Sequence, residues 1–233
     1  MKSTLKFLLA VLFFPSAVLF GVEAAKGFYS ILSAIHNTLY FCAGVGLYFP
    51  LHMLLGGAGR LYIFAHEMAH ALAGLFCGFK VKKFSAGARD GYVMLSGSNA
   101  FVALAPYCVP VYAIFCALAY FAVSLKWDMT AYSGWFVGAL GLLLCFHIVN
   151  TVEILCATKQ SDLRQAGGVF FSCALIVAAN SLLMLAAFKL LYPELISFRA
   201  SGLFVEQHTL GFWRWSAQSS VALCNWLWTL GKT

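Results

Sequence analysis

Charge is what this chain has least of. Asp, Glu, Lys and Arg together make up 10% of its 233 residues, against roughly a quarter in soluble domains. With 62% hydrophobic residues, it has too little polar surface to clothe a soluble globule. Acids are scarcer still, 8 against 15 lysines and arginines. No basic run is interleaved with aromatics, so the formal charge of +7 does not describe a nucleic-acid footprint. It reads instead as loop lysines and arginines facing the anionic lipid of a bilayer. CxxC pairs are absent: the eight cysteines are scattered, most of them inside apolar runs. There a free thiol behaves as a small hydrophobe, and neither a disulfide framework nor a cysteine zinc site is expected. Internal repeats and low-complexity linkers are also missing.

Long apolar runs are what the chain has in abundance. Several approach or exceed the roughly 20 residues needed to span a bilayer. The expected fold is an all-α polytopic membrane protein of about six transmembrane helices, with a short β-hairpin or loop after the third. Three regions follow: N-terminal membrane segments (1–58), a core carrying the motifs (59–191), and a Trp-rich C-terminal interfacial or membrane segment (192–233). Residues 1–20 form a first span or a cleaved signal peptide, Val22 and Ala24 fitting the −3 and −1 positions. Residues 28–55 form a second apolar segment, closed by Pro50 and by Gly56-Gly57, which mark a break. Its histidines, His36 and His52, are expected to be packed or interfacial. Residues 79–97 mix Lys80, Lys82, Lys83 and Arg89 with alternating apolar residues, as a short hairpin or a basic loop does. The span at 99–125 holds Pro106 and Pro110, which free backbone carbonyls and imply a kink. Spans at 132–157 and 169–191 flank a polar stretch containing Lys159, Ser161, Asp162 and Arg164. The two internal basic loops fall on one side, the cytoplasmic one. Counting back through two earlier spans and the motif helix would put Lys2 and Lys6 opposite, so one early segment is expected not to cross fully.

One stretch organises the rest: His66-Glu67-Met68-Ala69-His70. Histidines four apart on a helix project from one face, where one Zn²⁺ can take both. Glu67 lies where it can reach a water on that metal without ligating it, the arrangement of a metalloprotease helix. Leu61 to Ala65 before the motif and Ala71 to Phe76 after it are almost wholly apolar. Ionisable groups in such a setting are costly and usually functional. Catalytic zinc needs a third protein ligand, and the residues alone leave it open among Asp162, Glu153 and His147. Asp90 and Asp128 are weaker candidates. Asp162, following Ser161, serves equally well as a helix-capping residue.

Taken together, the HExxH helix, Gly78 to Val81, the segment through Gly91-Tyr92-Val93, the Ala105-Pro106 span and Ser161-Asp162-Leu163 with Ala166-Gly167 resemble the site-2-protease class of intramembrane metalloproteases. The likeness covers about residues 59–180. Better-known members have an Asp-Gly pair where this chain has Asp162-Leu163, and no PDZ-like insertion is visible. The resemblance implies that His66, His70 and Asp162 hold one Zn²⁺ per chain and that Glu67 is the acid/base. It implies that the strand around Gly91, Tyr92 and Val93 lies by the site and binds substrate. The activity implied is that of a zinc endopeptidase cutting transmembrane or membrane-anchored proteins in a bacterial inner membrane. Asn150 or His147 is the expected polar neighbour for the oxyanion. The rival readings are a non-catalytic metal-binding relative, a metal transporter and a lipid-directed hydrolase.

Overall fold

A computed structural model of the protein describes residues 2–54, 59–87, 90–157 and 160–230. Gly56, Gly57, Arg89 and Lys159 lie outside the described residues. The elements are α1 (Lys2–Ile31), α2 (Ile35–Leu54), α3 (Gly59–Phe76), β1 (Val81–Ala86), β2 (Gly91–Leu95), α4 (Ala100–Cys108), α5 (Val111–Ser124), α6 (Ser133–Ala157), α7 (Ser161–Ala166), α8 (Val169–Leu191) and α9 (Phe198–Leu230), with a 3₁₀ turn at Thr130–Tyr132. Among the described residues three helical stretches, Thr4–Ile31, Thr130–Cys156 and Val169–Leu191, can cross a membrane by length and composition. The count rises to five if each bent pair is one span, α2 with α3 (116°) and α4 with α5 (73°). The protein is thus mostly helical with three to five candidate spans rather than about six, plus a two-stranded antiparallel sheet.

The first apolar segment does not end near Phe20. α1 continues unbroken to Ile31, past Val22 and Ala24. The charges that suggest a boundary neutralise one another within the helix: Lys26 Nζ lies 2.9 Å from Glu23 Oε1, one turn away. The same ammonium sits 3.2 Å from the centre of the Phe204 ring on α9. The prolines of the fourth expected span do more than kink it, since they separate α4 from α5. Pro106 lies inside α4, and Pro110 stands at the N-cap of α5.

Two helix pairs frame the molecule, and both run parallel. Along α1 and α8, Phe7 and Phe14 meet Phe170, Ala17 clusters with Ala174 and Ala178, and Gly27 faces Leu185 and Phe188. Along α2 and α6 the backbones almost touch. A Cβ on Gly44 would lie 1.9 Å from the Gly138 carbonyl oxygen, and one on Gly141 would lie 2.3 Å from that of Phe41. Small residues at a seam allow such an approach between membrane helices. The buried core lies where these pairs meet and includes Ile31, Phe41, Leu140, Leu185, Phe188 and Tyr192.

These pairings relate the start of the chain to α7. Lys6 Nζ donates to the Ala166 carbonyl at 2.6 Å, so the start of α1 and helix α7 share one end of the molecule. With α2 and α3 taken as one bent span, that end also carries the β1–β2 hairpin. The motif helix is bent 116° from α2, so the two count together as one candidate span.

Candidate metal centre

His66, Glu67 and His70 sit in the middle of α3, and the imidazoles one turn apart have ring centroids separated by 5.0 Å. Asp162 comes from α7, a six-residue helix opened by Ser161. The turn after it is made by Gly167 (φ 149°) and Gly168 (φ 105°), values that glycine tolerates and other residues rarely adopt. Both amides close on the Leu163 carbonyl. Lys6, a cation on the C-terminal carbonyl of α7, completes the helix end in the favourable electrostatic sense. The sequence therefore builds a short, well-tied shelf for Asp162.

The three groups meet. Asp162 Oδ2 lies 3.6 Å from His66 Nε2 and 3.6 Å from His70 Nε2. That is long for a hydrogen bond, but two ligands about 2.1 Å from a tetrahedral zinc stand roughly 3.4 Å apart. Among the described residues, this is the group of three metal-binding side chains whose ligand atoms lie within 4.8 Å of one another. All three side chains are largely buried, 13–18% exposed. Two imidazoles and a carboxylate with a cavity beside them fit zinc that keeps an open position.

Outer contacts orient each ligand. The Tyr62 hydroxyl lies 3.1 Å from His66 Nδ1. His70 Nδ1 lies 2.8 Å from the Val102 carbonyl. The Tyr107 hydroxyl, fully buried, donates to Asp162 Oδ2 at 3.0 Å. Burial pushes the Asp162 carboxyl up, but the two imidazoles and Tyr107 outweigh it and hold it below the ordinary carboxylate range. Asp162 thus stays ionised and available. Such outer partners tune metal affinity nearly as much as the ligands themselves.

The hairpin lies against Glu67. β1 and β2 pair antiparallel, Ser85 with Tyr92 and Ala86 with Gly91, with an irregularity between Val81 and Lys83. A Cβ on Gly91 would lie 2.5 Å from Ile63 Cγ2 and 2.9 Å from Glu67 Cγ. Only glycine lets the strand come this close. The Gly87 amide donates to the Asp90 carbonyl, which fixes the alternation of the ladder. Ser85 and Tyr92 then exchange bonds, while the backbone groups of Gly91 and Val93 point away from β1. In keeping with this, the Val93 backbone N–H faces the Glu67 carboxylate. A cavity of about 650 Å³ opens here, lined by the motif residues, Gly91 to Val93, Gln160, Asp162 and Gln165.

The other candidates are elsewhere. Glu153 pairs with His52 on α2 at 3.0 Å. Asp128 closes its own turn on Thr130, whose hydroxyl and amide hold its carboxyl below the ordinary value. Asp90 is exposed in the hairpin turn. Asn150, an expected substrate neighbour, is not brought to the cavity. It is 3% exposed and donates to Tyr48 Oη and to the Phe146 carbonyl, because its face of α6 is turned to α2. His147 is buried against Asn180 (3.1 Å) and borders a separate small space behind His66. Tyr62 and Tyr107 escape a reading of the motif, although Tyr62 sits one turn before His66, on the same face.

Comparisons with protein-family models, with curated proteins and with solved structures find no match.

Proposed function

We propose that the chain is an intramembrane zinc endopeptidase acting on transmembrane or membrane-anchored proteins. The observation that carries this reading is Asp162, seated on His66 and His70 beside a cavity that Glu67 and an open strand edge share. A Zn²⁺ there supplies Lewis acidity, polarising the scissile carbonyl and lowering the pKa of water to about 7. Glu67 takes the proton of the attacking water on a carboxylate oxygen and passes it to the leaving amine. The backbone groups of Gly91 and the Val93 carbonyl, which turn away from β1, offer hydrogen bonds to a substrate in extended form. A helical substrate has to unwind locally to use them, since a helix hides its carbonyls. Tyr62, Tyr107 and the Val102 carbonyl hold the ligands in place. The multi-pass protein resides in a bacterial inner membrane, with the hairpin and α7 on the cytoplasmic side.

The test compares new N-termini in membrane proteomes from cells carrying wild type or Glu67→Gln, a substitution that removes the base and spares the ligands. A small set of membrane proteins left uncut only in the variant supports the proposal and supplies substrates. Matching proteomes, with both proteins expressed and zinc-loaded, sink it.

A further inference from the structure

The partner of His70 is a backbone carbonyl that an α-helix would ordinarily consume. Val102 lies in α4, where each carbonyl accepts the N–H four residues ahead. The ladder is intact on both sides of it: the Ala103 amide donates to the Asn99 carbonyl and the Val109 amide to that of Ala105, each at 2.9 Å. The donor due to Val102 is residue 106, and residue 106 is proline, which has no N–H. Val102 is 1% exposed, so solvent has little access to replace the missing bond. His70 Nδ1 fills the gap at 2.8 Å.

This contact decides a tautomer. A carbonyl only accepts, so His70 carries a proton on Nδ1, and the nitrogen free to give up its proton to a metal is Nε2, on the side of Asp162. His66 has no such constraint, because the Tyr62 hydroxyl facing its Nδ1 can donate or accept. We infer that Pro106 is a positioning residue of the metal centre: lacking an N–H, it reserves the Val102 carbonyl for His70 and fixes that imidazole as a metal ligand. The inference rests on the metal-centre reading above. Pro110 serves as the comparison: it lies beyond the end of α4, at the N-cap of α5, where its missing N–H opens no carbonyl inside a helix.

The experiment uses the full chain in detergent, stripped of metal and titrated with Zn²⁺ against a competing chelator, alongside thermal unfolding of the metal-free form. Pro106→Ala returns an N–H to Val102 and places a better helix former in α4. Zinc binding is expected to weaken about tenfold while the metal-free protein unfolds at no lower a temperature. Pro110→Ala is expected to bind zinc as wild type does. A structural role for Pro106 predicts the reverse, lost stability together with lost binding, and that outcome overturns the inference. Unchanged zinc affinity in Pro106→Ala, or an equal loss in Pro110→Ala, overturns it too. Should Pro106→Ala fail to fold, the nitrogen spectrum of histidine-labelled wild type answers the question. Neutral His70 protonated at Nδ1 supports the inference, and neutral His70 protonated at Nε2 overturns it. A wild type that binds no zinc at all refutes the metal centre itself, an outcome distinct from the others.

Discussion

Adding one methyl group at Gly91 tests how the hairpin governs Glu67. In Gly91→Ala the new Cβ would fall 2.5 Å from Ile63 Cγ2, 2.9 Å from Glu67 Cγ and 3.1 Å from the Ser85 carbonyl oxygen. Unstrained carbon contacts need about 3.5–4.0 Å, so the shortfall is about 1 Å. Ser85 belongs to the paired strand and cannot turn aside. Either β2 lifts from α3 or the Glu67 side chain swings, and each path shifts the carboxylate relative to the two imidazoles. Overpacking of this kind costs about 1–3 kcal/mol of stability. A misplacement of about 1 Å costs on the order of 100-fold in rate. None of the three metal ligands is touched, so zinc content should not change. The assay measures zinc content, thermal unfolding and the cleavage rate of a substrate identified with Glu67→Gln. Gly46→Ala is the matched control: no atom lies within 4 Å of a Cβ there, and α2 should gain up to about 1 kcal/mol. Wild-type cleavage by Gly91→Ala would refute the packing argument. So would loss of zinc in step with activity, because the strand would then be supporting the ligands and not Glu67.

Three further outcomes are expected. Gly44→Ala should be among the most damaging single methyl additions, since the obstacle at 1.9 Å is a backbone oxygen of α6. A loss of about 3 kcal/mol is expected, read as a lowered unfolding temperature in detergent. Tyr107→Phe removes the hydroxyl that donates to Asp162 and should weaken zinc about tenfold, with little change in the unfolding of the metal-free protein. The third concerns protons. Asp162 is held below the ordinary carboxylate value of about 3.9, so it is already ionised at pH 5, whereas free imidazole titrates near 6.5. Calorimetry in buffers of different ionisation heat should find at most two protons displaced per zinc bound at pH 5. Three would mean that one of the two carboxyls of the site, Asp162 or Glu67, was protonated beforehand.

The motif was legible because helical periodicity alone puts residues 66 and 70 on one face, whatever the rest of the chain does. The hairpin was half-legible, since alternation at 81–95 marks strands but cannot say that Gly91 rests on α3. The third ligand was not legible from spacing. Glu153 and Asp162 are both acids near the end of α6, and what separates them is the rotation of that helix. The glycine seam of Gly44, Gly138 and Gly141 turns Glu153 and Asn150 towards α2, while the short α7 carries Asp162 back over α3. The supposed break near residue 20 was misleading for a local reason: Glu23 and Lys26 satisfy each other inside a continuous helix. The angle of 116° between α2 and α3 was not legible either, because Pro50 and the glycines after it mark a break without fixing its angle. The partner of His70 is a main-chain oxygen, and its only trace in the sequence is a proline four residues further on.

The bond from Lys6 to Ala166 spans 160 positions, which sets an order on how the molecule is made. While α3 is being synthesised, α1 is already in place but its neighbour α8 does not yet exist. Ala17, buried against Ala174 and Ala178 in the finished protein, then has no α8 to pack against. His66 and His70 are present long before Asp162, so a newborn chain offers a metal ion two ligands and holds it weakly. Pairing across such separations is slow, because the intervening chain must first be gathered in. The shelf carrying Asp162 packs on α4 through Leu163 and Ala166 and is tied to α1 by Lys6 and to α8 by Ser172. Completion of the centre therefore coincides with the seating of the first helix against the eighth, and a ribosome halted before residue 191 leaves a protein that has its motif but no finished site.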